Sequence, residues 1–140
     1  MFFLNVSGGE IFMRPDLFEI VEHARKLQFS VKLKTNGVMI RAAKAQRIAQ
    51  LGVEAVQISL YSHIAETHDE ITKLPGSFKR TTESAQFLRD AGVRVIFANV
   101  LMKQNADHYK GVQALAASMG IRYEVDATIT SRTGSTAIAR

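Results

Sequence analysis

Two rhythms of apolar and polar positions alternate along the chain. Short apolar runs stand at 2–7 (FFLNVS), 31–36 (VKLKTN), 55–60 (AVQISL), 93–102 (VRVIFANVLM) and 121–129 (IRYEVDATI). In VKLKTN, Val31 and Leu33 alternate with Lys32 and Lys34, the period of two that marks a strand. Between the runs, apolar residues fall at helical spacing: Leu17, Ile20, Val21, Ala24 and Leu27; then Ile40, Ala43, Ile48 and Leu51; then Phe78, Thr81, Ala85 and Leu88. Pro15–Asp16 reads as a helix start and Ser77 as a helix N-cap. The long connection at 61–77 holds one or two helical turns around Ala65–Ile71 and a turn at Pro75–Gly76, and a last helix runs from Asp107 to Met119.

Strand and helix that take turns every roughly 25–40 residues predict parallel strands joined by helical crossovers. Ligands of such folds bind at the carboxyl ends of the strands. The tips to inspect are Gly8–Gly9–Glu10, Thr35–Asn36–Gly37, Ser59 to Ser62, Asn99 to Lys103, and Thr128 to Arg132. A closed barrel of this type needs eight units and about 250 residues. Five strands in 140 residues leave an open sheet or part of a barrel. A semi-polar inner face (Asn5, Ser7, Lys34, Asn36, Gln57, Ser59, Asn99) favours the latter: α/β, a partial (β/α) TIM-type barrel of about five parallel strands in sequential order, helices on the outer face. It spans 1–130, and 131–140 (SRTGSTAIAR) reads as a loose tail.

Hydrophobic residues make up 46% and charged residues 22%, ordinary for a globular domain. No apolar run reaches the roughly 18–20 residues that span a bilayer, and MFFLNVSGGE lacks a cationic start, so the expectation is a cytoplasmic protein without a secretory signal. The net charge of +5 does not imply nucleic acid, because the basic residues are scattered and carry no aromatic interleaving. The absence of cysteine excludes disulfides and thiolate metal centres made by this chain alone. His63 and His68 are poorly spaced for a shared metal, and His23 and His108 read as helix-surface residues, so no metal site is expected.

LNVSGGEIFMRPDLFEIVEHARKL, then KTNG, then VQISLYSHIAETHDEITKLPGSFKRT resembles the core of a radical S-adenosylmethionine (radical SAM) enzyme, most of all the branch with a C-terminal auxiliary-cluster (SPASM) domain. The resemblance covers about residues 4–130. It implies that Gly8, Gly9 and Glu10 receive the amino group of the cofactor's methionine moiety, where glycine lets backbone approach and an oxygen suits an ammonium. It implies Thr35 and Asn36 at the cofactor or the substrate cavity, Ser59 at the carboxylate or ribose, Arg80 at the carboxylate, Asn99 at the ribose and Met102 beside adenine. Local readings stand beside these: a glycine turn, an Asn-Gly turn, Arg80 paired with Glu83, a strand-end Asn99 and a core Met102. A His-Asp pair such as His68–Asp69 is usual in the family and is not a metal site.

The family holds a four-iron, four-sulfur cluster on three cysteines after its first strand. This chain has none and begins at what would be the second strand. The resemblance therefore implies a fragment of an oxidoreductase or maturase that cleaves S-adenosylmethionine to a deoxyadenosyl radical for hydrogen abstraction from a peptide or small molecule. The chain alone is expected to be inactive and to self-associate through the sheet edge at Leu4 and Val6. The alternatives are a degenerate, non-catalytic binding or scaffold module, and a flavodoxin-like open sheet with helices on both faces.

Overall fold

The computed structural model describes residues 2–8, 10–126, 128–130 and 136–138. Five strands, β1 (Phe3–Val6), β2 (Ser30–Thr35), β3 (Ala55–Leu60), β4 (Val95–Val100) and β5 (Arg122–Asp126), form one sheet in sequential order with every pair parallel. The crossovers carry α1 (Leu17–Lys26), α2 (Ala42–Gln50), α3 (Ala65–Thr72), α4 (Ser77–Asp90) and α5 (Tyr109–Ser118), with 3-10 turns at Ile11–Met13 and Ala106–His108. A separate antiparallel ribbon pairs β6 (Thr128–Thr130) with β7 (Thr136–Ile138). The rest of the tail expected over 131–140 lies outside the described residues, as does Gly9.

The register decides which face each strand residue occupies, because residues opposite one another in a parallel pair share a face. Leu33 stands opposite Val56, Ile58 opposite Phe97, and Phe97 opposite Tyr123. The face so defined carries Val31, Leu33, Val56, Ile58, Leu60, Val95 and Phe97, which form one core with Val21 of α1, Ile48 of α2, Leu88 of α4 and Val112 of α5. The other face carries Asn5, Lys34, Gln57, Ser59, Ile96 and Ala98, and none of these belongs to that core. Helices α1, α2, α4 and α5 thus pack on one side of the sheet. Crossovers of one hand between sequential strands produce such a one-sided cover. It is the partial barrel, and the doubly wound alternative, with helices on both faces, is excluded.

Several local expectations change. Asn99 stands opposite Leu60, on the helix-covered face and not on the inner one. Ala43 is exposed and Ala45 turns inward in its place, because Ala45 is three residues from the buried Ile48 and shares its helix face, while Ala43, five away, does not. Leu27 is exposed beyond the end of α1. Ser77 is the first residue of α4, not its cap.

The loop after β2 is lashed to α4. The Thr81 hydroxyl donates to the Asn36 carbonyl at 3.0 Å, and the Ser84 hydroxyl donates to the Ile40 carbonyl at 2.7 Å. Gly37 makes that approach feasible: its φ is +79°, and a Cβ there would stand 2.9 Å from Ile58 Cγ2 and 3.3 Å from Thr81 Cγ2. Among the described residues, no helix is long and apolar enough to cross a membrane.

Candidate functional site

One carboxylate fastens the carboxyl ends of β1 and β2. Glu10 Oε1 accepts from the Thr35 hydroxyl at 2.7 Å and from the Asn36 N–H at 2.8 Å, while Oε2 accepts from the Phe12 N–H at 2.8 Å and caps the 3-10 turn. Thr35 Oγ1 in turn accepts from the Gly37 N–H at 3.1 Å, and Asn36 Oδ1 accepts from the Val38 N–H at 2.9 Å. Glu10, Thr35 and Asn36 are therefore brought together, with their side-chain oxygens engaged by one another and by the backbone. Gly8 opens this turn at φ +142°, a conformation side chains avoid, and no atom lies within 4 Å of where a Cβ would sit. What this tip offers a ligand is exposed main chain.

Ser59 lies on the helix-free face opposite Ala98, half-buried, and its hydroxyl makes no hydrogen bond among the described residues. Arg80 is exposed in the first turn of α4, next to the Thr81 that binds the Asn36 carbonyl. The pairing of Arg80 with Glu83 is not formed: Glu83 lies 3.7 Å from Arg41 and 3.9 Å from Lys79. Asn99 is buried, its Nδ2 donates to the Tyr123 hydroxyl at 2.9 Å, and its Oδ1 has no partner. Met102 lies on the connection after β4 and lines a cleft against α3. Gly8, Glu10, Thr35 and Asn36 thus share one tip, Ser59 shares the open face, and Asn99 is set apart beneath the helices.

Three organising residues escape a reading of local sequence. Asn105 is 1% exposed, accepts from the Met102 N–H at 2.7 Å, and donates to the Val100 carbonyl at 2.8 Å and to the Tyr61 carbonyl, so it sews the end of β4 to the end of β3. Asp69, on α3, caps α4: it accepts from the Gly76 and Phe78 N–H groups, each at 2.8 Å, and from the Ser77 hydroxyl at 3.1 Å. Desolvation pushes the Asp69 carboxyl up, but those donors and His68 outweigh it and hold it below the usual value. His68 is buried between the rings of Tyr61 and Phe78, and its Nδ1 accepts from the Tyr61 N–H at 3.2 Å. The only signal for any of them in the sequence was the adjacency of His68 and Asp69.

Burial lowers the His68 pKa below the ordinary 6.5, against the opposing pull of Asp69. The unfolded chain then takes up a proton that the native chain does not as pH falls below 6.5. Stability that is full near neutrality is expected to decline on acidification through this window, by at most about 1.4 kcal/mol per pH unit. Urea unfolding from pH 7.5 to 5 should show the slope, and His68→Gln should flatten it.

Comparison with known proteins follows the same outline. The family model described as the Radical SAM superfamily matches residues 3–116. An AdoMet-dependent heme synthase of Oleidesulfovibrio alaskensis is 32% identical over 114 residues, 81% of this chain and 29% of that protein. The mycofactocin maturase MftC of Mycobacterium tuberculosis is 36% identical over 121 residues, 86% of this chain and 31% of that one. The crystal structure of Streptococcus suis SuiB superposes with a TM-score of 0.79 at 20% identity, over 99% of this chain and 32% of that chain, a likeness of fold. The chain spans about a third of the length of the curated relatives it matches.

Proposed function

Since this chain belongs to the radical SAM superfamily, we propose that its strand tips are part of the wall that holds S-adenosylmethionine in a larger enzyme. The observation that carries this reading is the one-sided helix cover, which leaves a helix-free face with Asn5, Lys34, Gln57 and Ser59 beside the apolar Ile96 and Ala98, and with Gly8, Glu10 and Asn36 at its strand ends. The main chain at Gly8 and Glu10 is suited to accept from the cofactor's ammonium. The Ser59 hydroxyl, without a partner among the described residues, is suited to a carboxylate or ribose oxygen, and we assign the carboxylate also to Arg80, whose neighbour Thr81 binds the Asn36 carbonyl. Glu10 acts as an organiser that keeps two tips in register; the proposal assigns it no side-chain bond to the ligand.

An iron–sulfur cluster does not fit these residues. The chain has no cysteine, and among the described residues no three His, Asp or Glu side chains converge. The thiolates therefore come from elsewhere in the whole enzyme, and the chain alone is expected to be inactive. When bound beside a reduced cluster, the cofactor supplies hydrogen abstraction; this chain binds, orients and shields. We assign the chain to the branch with a SPASM domain and take a peptide as substrate, since mycofactocin maturase and PqqA peptide cyclase are relatives and SuiB has been crystallised with precursor peptide SuiA. We place the enzyme in the cytoplasm, a reducing compartment.

Calorimetric titration with S-adenosylmethionine tests the reading. A weak but saturable heat is expected, and Ser59→Ala should weaken it about 2–10-fold, the worth of one hydrogen bond. Absence of saturable heat would favour a degenerate module that binds no cofactor. The edge of β1 carries Phe2 and Phe3, 73% and 70% exposed, and offers unpaired backbone to a further strand. Self-association there is expected to show in sedimentation velocity, and a clean monomer would count against it.

A further inference from the structure

We propose that the cleft between α3 and the connection after β4 is a binding site for a carboxylate-bearing peptide segment. This deepens the peptide-substrate reading and rests on it, and it uses residues other than Gly8, Glu10, Ser59 and Arg80. The cleft has a volume of about 570 Å³, room for a short stretch of peptide, and its lining is of mixed chemistry: Lys73 and His108, Glu70 and Gln104, Ile71 and Met102.

His108 is preset. The fully buried Ser62 Oγ accepts from the Ile64 N–H at 2.9 Å and lies 2.6 Å from His108 Nδ1. That hydrogen bond occupies Nδ1 and leaves Nε2, at the other side of the ring, as the nitrogen Ser62 does not touch. The His63 ring meets His108 edge-on at 5.5 Å and lies over Gly111, where a Cβ would collide with it. Ser62 and His63 together thus hold the His108 ring in one orientation at the cleft wall. Lys73 adds charge: it stands at φ +59°, where α3 ends and glycine would be the least costly residue, and its ammonium has no ion pair among the described residues. A carboxylate suits the Lys73 ammonium and a ring N–H of His108, Glu70 suits peptide N–H groups, and Ile71 and Met102 suit an apolar neighbour. A simple anion would leave Glu70 opposed and the apolar pair unused.

The probe is a fluorescein-labelled peptide with one glutamate beside a leucine, read by anisotropy on the full chain against its glutamine counterpart. The glutamate peptide is expected to bind at least ten-fold more tightly. Lys73→Gly should erase that difference while raising the unfolding midpoint, since it relieves the left-handed backbone, and a purely structural Lys73 would not lose discrimination. His108→Phe should also erase it, and Gln46→Ala, exposed on α2, should not. Peptide binding that is equal in wild type and Lys73→Gly would remove this site and leave the peptide reading standing. Free glutamate competing as well as the peptide would overturn the peptide class. No peptide binding, with cofactor heat intact, would overturn both readings of the substrate without touching the cofactor wall.

Discussion

Asn105→Leu is expected to destabilise the chain by about 3–5 kcal/mol, although leucine matches asparagine in size. The cost comes from what the amide leaves behind. Three main-chain groups, the Met102 N–H and the Val100 and Tyr61 carbonyls, lose a buried partner at once. An unsatisfied buried polar group costs roughly 1–3 kcal/mol, and leucine answers none of the three. The loss is also local. The ends of β3 and β4 are the tips at which a ligand is proposed to sit, so the variant should lose amide protection there before it unfolds globally. Urea unfolding with hydrogen exchange reads both effects. A change below about 1 kcal/mol would mean that water replaces the amide and that the tips are wetter than the geometry indicates.

Phe97→Ala is expected to cost a similar amount, about 3–5 kcal/mol, by a different route. Among the described residues Phe97 is the largest wholly buried side chain, and it sits mid-sheet, opposite Ile58 on one side and Tyr123 on the other. Its ring is part of the layer between sheet and helices, so truncation removes transfer energy and leaves a void that rigid strands on both sides cannot close. Domains of this size have about 5–15 kcal/mol in total, and the variant should be partly unfolded at 37 °C. Thermal unfolding by circular dichroism measures it. Phe97→Leu, which retains most of the volume, should recover more than half of the loss.

The sheet order was legible because hydrophobic rhythm and loop chemistry agreed over most of the chain. Lys32 and Lys34 alternate with Val31 and Leu33, and the faces of β2 follow at once. In β4 the run VIFANV is buried along almost its whole length, so alternation carries no information and Asn99 was placed on the wrong face. Only its partner Leu60, almost forty residues earlier, settles the matter. The same distance hid the other determinants. The cap of α4 comes from Asp69 at the far side of a turn, not from Ser77, because a left-handed Gly76 and its neighbours aim three donors back at one carboxylate. For Glu10 the resemblance implied a place at the cofactor, while its partners within the chain, Thr35 and Asn36, lie a full crossover away and had no local cue. Asn105 gave no cue, since an asparagine in MKQNAD is what any polar loop contains.

These differences share one cause. Local spacing fixes elements, whereas side-chain roles at the tips are settled between elements, where hydrogen bonds from different crossovers meet. The candidate site is therefore sharper than the sequence allowed: less carboxylate and amide side chain, more open main chain at Gly8, and one unpaired hydroxyl at Ser59.

The direct measurement is amide chemical-shift mapping of the isotope-labelled chain titrated with S-adenosylmethionine to millimolar concentration, which detects weak binding residue by residue. Shifts that saturate together at Gly8, Glu10, Asn36 and Ser59, and leave the outer faces of α1 and α2 unmoved, are the predicted result. Shifts absent throughout, or centred on the helix-covered side of the sheet, would contradict it.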